Sequence, residues 1–289
     1  MDLWRLVADP LAYGFMQRAL MVAILVGAVC AVLSCYLVLK GWSLMGDAVS
    51  HAVLPGIVIA HVLNLPLALG AFAAGLGCAV LTGYLKDNSR IKEDTVMGIV
   101  FSGMFGLGLV LFTKVDTDQH LNHILFGNML GVGVRDLIET ALVAGGVLLV
   151  VLLKRRDLLL YCFDPRHAQA IGLPVQALHY GLLIVLALTI VAALKAVGII
   201  LVVAMLIAPG ATAYLVTRRF QHMLPVAVAV AVGSSIFGTL LSFHIDAATG
   251  PSIVLTQAAV FMIAFAVTSA KAGLSRDAHV AEQPRQPLG

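Results

Sequence analysis

Asp47 and His51 interrupt the apolar run SLMGDAVSHAVLPG, residues 43–56. On a helix, positions four apart share a face, so a carboxylate and an imidazole would stand side by side. That is a natural two-ligand clamp for a divalent metal ion, yet only half a coordination shell. Two copies facing each other across a symmetric dimer would supply two oxygens and two nitrogens, a set that suits Mn2+, Fe2+ or Zn2+. A plainer reading stands beside it: Asp47 caps the start of a helix, and His51 is a core histidine bonded to a backbone carbonyl. Capping leaves unexplained why the histidine returns on the same face. Nor is the position cheap, since a charge at mid-membrane costs at least ~2.5–3.5 kcal/mol.

The elements that position this pair must be membrane helices. Of 289 residues, 61% are hydrophobic and only 11% charged, and the mean hydropathy is +1.01; soluble domains carry ~25% charged residues. The expected fold class is all-α and polytopic: one transmembrane domain over residues 1–270, then a polar tail at 271–289 that is expected to be cytoplasmic and disordered. The net charge of +3 is spread over loops and gives no footprint for nucleic acid. MDLWRLVADP, mixed in charge, does not read as a signal peptide. Cys30, Cys35, Cys78 and Cys162 form no CxxC pair, and three of them sit within apolar runs, where cysteine behaves as a small hydrophobe.

Nine runs meet the ~17–25 residue length of a spanning helix: near 18–39, 44–63, 66–85, 95–113, 136–153, 178–194, 197–217, 225–243 and 252–270. Only KAVG separates the sixth from the seventh, so eight is the alternative count. With the N-terminus outside and the C-terminus in the cytoplasm, inner loops hold Lys40, Lys86, Arg90, Lys92, Lys154, Arg155, Arg156, Arg166, Arg218, Arg219, Lys271, Arg276 and Arg285. Outside remain Arg5, Arg18, Lys114, Arg135 and Lys195, a clear positive-inside bias.

Two connections are long. The outer one, residues 114–136, contains an apolar piece too short to span and reads as a short helix dipping into the bundle. It also carries Asp116, Asp118, His120 and His123; with His244 and Asp246 of another outer loop, these read first as solvated polar residues. The inner one, residues 154–180, holds DPRHAQAIGLP: Asp164 and Pro165 start a short helix, which stops at Gly172 before Pro174. Within the spans, Pro55-Gly56 and Pro209-Gly210 interrupt the second and seventh runs. With the fifth span as junction, each is the second helix of a four-helix half, and both are expected to kink. Paired breaks at matching positions point to a transport pathway. There is no GxxxxGK[ST], GxSxG or HExxH, so neither ATP binding through a Walker motif nor a membrane hydrolase has a visible residue set.

GDAVSHAVLPG (46–56), HILFGNMLGV (123–132), DPRHAQAIGLPV (164–175), VGIILVVAMLIAPGATA (197–213) and DAATGPSIVL (246–255) follow in order along the chain. In these, over about residues 15–270, it resembles the membrane permease subunits of ABC-type manganese/zinc/iron importers, the ABC-3 family. The resemblance implies the fold of the cobalamin and siderophore permeases lacking its first helix. It implies a translocation subunit of the inner membrane rather than an enzyme. Two ABC ATPase subunits, an extracytoplasmic metal-binding protein and a second permease subunit, identical or paralogous, are the implied partners. Asp47 and His51 match the family's membrane metal site, supplied by both protomers. The segment 164–174, with Asp164, Pro165, Ala168, Gly172 and Pro174, matches the helix that docks on the ATPase. No cofactor is held permanently; the metal is cargo, and HILFGNMLGV looks more like the manganese/iron branch than the zinc branch. The alternative is a stand-alone secondary transporter with Asp47 as its proton-coupled carboxylate, which leaves the 164–174 helix without a purpose.

Overall fold

A computed structural model describes residues 9–114 and 129–281. Its helices are α1 (Gly14–Lys40), α2 (Met45–Val62), α3 (Leu67–Asp87), α4 (Glu93–Phe112), α5 (Val134–Leu153), α6 (Arg155–Phe163), α7 (Pro165–Ala170), α8 (Val175–Val197), α9 (Ile199–Val216), α10 (Phe220–Ile245) and α11 (Thr249–Ala281), with a single 3-10 turn at Met129–Gly131. Among the described residues, nine of these helices, all but α6 and α7, are long and apolar enough to cross a membrane. The count is nine rather than eight because Gly198, at φ +79°, separates α8 from α9. Glycine takes that left-handed value without the strain a side chain would meet.

Three boundaries differ from expectation. The inner connection begins with a further helix, α6, whose Leu158, Tyr161 and Cys162 turn inward while its charged residues stay out. Helix α10 starts at Phe220 and carries Pro225 inside it rather than at its start, past the first turn. Helix α11 runs on past Lys271, where the polar tail was expected, as far as Ala281; nothing between Gly273 and Pro284 breaks a helix. The dipping segment expected before α5 falls mostly at 115–128, outside the described residues.

The two halves exchange their first helices. Helix α2 packs against α3 and α4, and α9 against α10 and α11, but α1 lies chiefly against α9 and α10, and α8 against α5, α3 and α2. Helix α5 touches both α1 and α8. Along α1, Gly27 meets Met205 of α9 and Ser34 meets Gly210, so these two helices run in the same direction. Helix α2 leaves from the turn that ends α1, so α2 and α9 run oppositely, as an inverted repeat requires.

Neither Pro55 nor Pro209 ends its helix. Around Pro55-Gly56 the neighbours are reduced to backbone: Gly56 abuts Gly70 of α3 so closely that a Cβ on either would strike the other's carbonyl oxygen. Gly108 of α4 sits over Leu54 and Pro55, where a Cβ would come within 2.9 Å. Small residues replace hydrophobic burial as the means of close helix approach in lipid. Around Pro209-Gly210 a side chain repairs the ladder instead. Ser34 Oγ accepts from the Gly210 N–H at 3.0 Å and donates to the Ile207 carbonyl at 3.2 Å.

All four cysteines are free and buried. Burial pushes the Cys162 thiol up to about 12, against the opposing pull of Lys40, so it stays protonated and unreactive at neutral pH.

Gly56→Ala and Gly70→Ala are expected to lower the thermal unfolding midpoint of the detergent-solubilised protein by an overpacking cost of about 1–3 kcal/mol or more. Gly145→Ala, with nothing within 4 Å, should leave it unchanged or raise it slightly, since alanine favours helix by roughly 0.5–1 kcal/mol. Ser34→Ala strands a buried N–H and should cost about 1–3 kcal/mol in the same assay.

Candidate metal site and cytoplasmic helix

Helix α2 starts at Met45 after Leu44, with no side-chain cap. Asp47 is therefore not a cap but a first-turn carboxylate, where the helix dipole favours negative charge. One turn on, His51 Nε2 lies 3.3 Å from Asp47 Oδ1. The serine between them is structural: Ser50 Oγ donates to the Gly46 carbonyl at 2.7 Å. Gly46 itself makes room for Leu206 of α9, whose Cδ1 would lie 3.0 Å from a Cβ there.

Exposure singles the pair out. From Met45 to Val58, every α2 residue is buried except Asp47 and His51, whose side chains are 32% and 31% accessible. The helix thus shows a narrow polar window in an apolar wall. Two aromatics of α4 hold the imidazole: the Phe105 ring meets it edge-on at 5.2 Å, and Phe101 lies 6.1 Å away. The His51 Nδ1 atom is buried with no hydrogen-bond partner, leaving Nε2 as the nitrogen aligned with the carboxylate. The plainer reading, a histidine bonded to a carbonyl, does not describe this geometry. Phe101 and Phe105 were not singled out in the sequence, although their own i,i+4 spacing is a legible sign of a shared face. Among the described residues, no group of three or more His, Cys, Asp or Glu comes together at ligating distance.

Helix α7 is built as its sequence suggests. Asp164 Oδ1 accepts from the N–H groups of Arg166 and His167, both at 3.0 Å, and Pro165 takes the first helical position. Gly172, at φ +85°, closes it, while Leu173 N–H returns to the Ala168 carbonyl. Ala168 alone is buried; Arg166, His167, Gln169, Ala170, Ile171 and Pro174 are exposed. A capped, largely exposed turn results.

The remaining sequence candidates separate. Pro55, Gly56, Pro209 and Gly210 stand at helix contacts rather than in an open channel of the isolated chain. Asp116, Asp118, His120 and His123 lie outside the described residues. Asp246 terminates α10 at φ +51°, and the His244 Nδ1–H donates to the Leu240 carbonyl at 2.8 Å, so both serve the helix end.

Known proteins share this architecture. The chain is 66% identical to the chelated iron transport system membrane protein YfeD of Yersinia pestis, over 91% of this chain and 88% of that one. It is 55% identical to the manganese transport system membrane protein MntB of Synechocystis, over 90% and 85%. Among solved structures, PsaBC from Streptococcus pneumoniae in complex with Fab superposes with a TM-score of 0.82 at 40% identity, covering 91% of this chain and 95% of that chain. The ABC 3 transport family model matches residues 12–268. The chain therefore belongs to the ABC 3 transport family.

Proposed function

We propose that the chain is the membrane permease subunit of an ATP-driven importer of divalent transition metal ions, with manganese and iron the first candidates and zinc the next. The names of its relatives support that cargo: a chelated iron system and a manganese system at 66% and 55% identity. The observation that carries the reading is the Asp47–His51 pair, side by side in the one gap along the otherwise buried Met45–Val58 stretch of α2.

Metal ligands of N and O type sit ~2.0–2.2 Å from the ion, which puts two cis donors roughly 3–3.5 Å apart. The 3.3 Å separation of Oδ1 and Nε2 fits that bite without rearrangement. Two ligands do not complete a shell, so the second pair comes from a second permease subunit, identical or paralogous, whose window faces this one. An extracytoplasmic binding protein releases the ion into the cleft between them. Carboxylate and imidazole replace part of its water shell, firmly enough to select it and weakly enough to let it leave inward.

Orientation follows the lysines and arginines: N-terminus outside, C-terminus and α7 in the cytoplasm. There α7 seats in a groove of a separate ABC ATPase subunit, and ATP-driven closure moves the bundle through it. The cap by Asp164 and the exposed Ile171 support a docking role.

Asp47→Ala and His51→Ala are each expected to reduce metal uptake at least tenfold in cells carrying the whole transporter, with the protein still folded and in the membrane. Wild-type uptake by both would overturn the site. Asp164→Ala removes a cap worth about 1 kcal/mol and should weaken ATPase association and metal-coupled ATP hydrolysis, while metal binding at Asp47 and His51 persists. Uptake by the reconstituted chain without any ATPase would instead favour a stand-alone, proton-coupled transporter.

A further inference from the structure

We propose that the cavity between the cytoplasmic ends of α1, α3, α6 and α8 is a binding site for the phosphate headgroup of an anionic phospholipid. The cavity measures about 560 Å³, within the ~300–1,000 Å³ usual for small-ligand sites. It is distinct from the α2 window: none of its lining residues belongs to α2 or α4.

Its chemistry is two-sided. Lys40 and Lys86, each at the end of a span, bring two ammonium groups to one opening. A fixed aromatic frame holds the first. Lys40 Nζ stands 4.1 Å above the Tyr161 ring, the Tyr161 hydroxyl is hydrogen-bonded to His179 Nδ1 at 2.8 Å, and the His179 ring meets Trp42 edge-on at 5.2 Å. Trp42 lines the same cavity and is only 2% exposed, so it fixes the frame from behind.

The other wall is apolar and open to the bilayer. Val80, Leu81 and Tyr84 of α3 and Tyr180 of α8 line it, and all four are exposed on the outside of spanning helices. A soluble phosphate would use the lysines but leave this wall bare. A phospholipid uses both, with its headgroup among the cations and its acyl chains along Val80 and Leu81. Tyrosines at this depth belong to the interfacial belt, and basic pockets between helices on the cytoplasmic side hold lipid headgroups. Pro165, the first residue of α7, also borders the cavity, so an occupying headgroup braces the base of that helix. The inference rests on the orientation proposed above and does not depend on metal binding at Asp47 and His51.

The test uses the full-length chain purified in detergent and offered phosphatidylglycerol or phosphatidylcholine, with retained lipid counted by native mass spectrometry. Phosphatidylglycerol should be retained over phosphatidylcholine, and Lys86→Gln should cut that retention about fivefold, the factor equivalent to the ~1 kcal/mol a lysine contributes near anionic lipid. Lys92→Gln, an exposed cation outside the cavity, should change nothing. A second measurement needs no change in the cavity: Trp4→Phe leaves Trp42 as the one tryptophan, and acyl-brominated phosphatidylglycerol should quench it more than brominated phosphatidylcholine. Equal quenching by both lipids, equal loss with Lys92→Gln, or displacement of the lipid by millimolar inorganic phosphate would overturn the proposal.

Discussion

A carboxylate cannot rest against hydrocarbon, and the arrangement around α2 answers to that cost. Asp47 and His51 are about one-third exposed on a helix whose other residues are buried through Val58. Left facing lipid, the carboxylate would forfeit several kcal/mol of hydration. Pairing it with an imidazole one turn away reduces the penalty but does not remove it. Another polar group has to meet the window; in the proposed function a second permease subunit with a shared metal ion would do so on both sides at once. The pair is thus a demand for a partner built into one chain.

Around that window the bundle is closely packed. Gly56 against Gly70, and Gly108 against Leu54 and Pro55, bring α3 and α4 to backbone distance from α2. The prolines free backbone groups that lipid cannot satisfy, and the surrounding chain must satisfy them. At Pro209-Gly210 the remedy is Ser34, reaching from the other half of the repeat. Exchange of α1 and α8 between the halves makes such remedies available, because each half's second helix lies against the other half's first. In the proposed cycle, movement transmitted through α7 would act on a closely packed frame and not on separate helices.

Much of this is legible in the sequence because hydrocarbon imposes length and polarity so strongly. The spans, the Asp-Pro start and Gly172 stop of α7, and the shared face of Asp47 and His51 all follow from spacing. Other features are not local. KRRDLLLYCF is too short and too charged to announce α6, whose inward face depends on Tyr161 and Cys162 finding α1 and α8. The role of Ser34 is invisible without its partner 176 residues away. The Pro-Gly pairs suggest kinks; what they mark in the folded chain is where neighbours come closest. Asp47 looks like a helix cap until the helix proves to start two residues earlier.

The central claim, that one ion is shared by two permease chains through Asp47 and His51, is tested most directly by Mn2+ stoichiometry and electron spin echo spectroscopy on the purified complex. The account predicts one Mn2+ for each pair of permease chains, with nuclear modulation from two imidazole nitrogens, one from each chain. One ion per chain, or an ion showing no imidazole modulation, would contradict it.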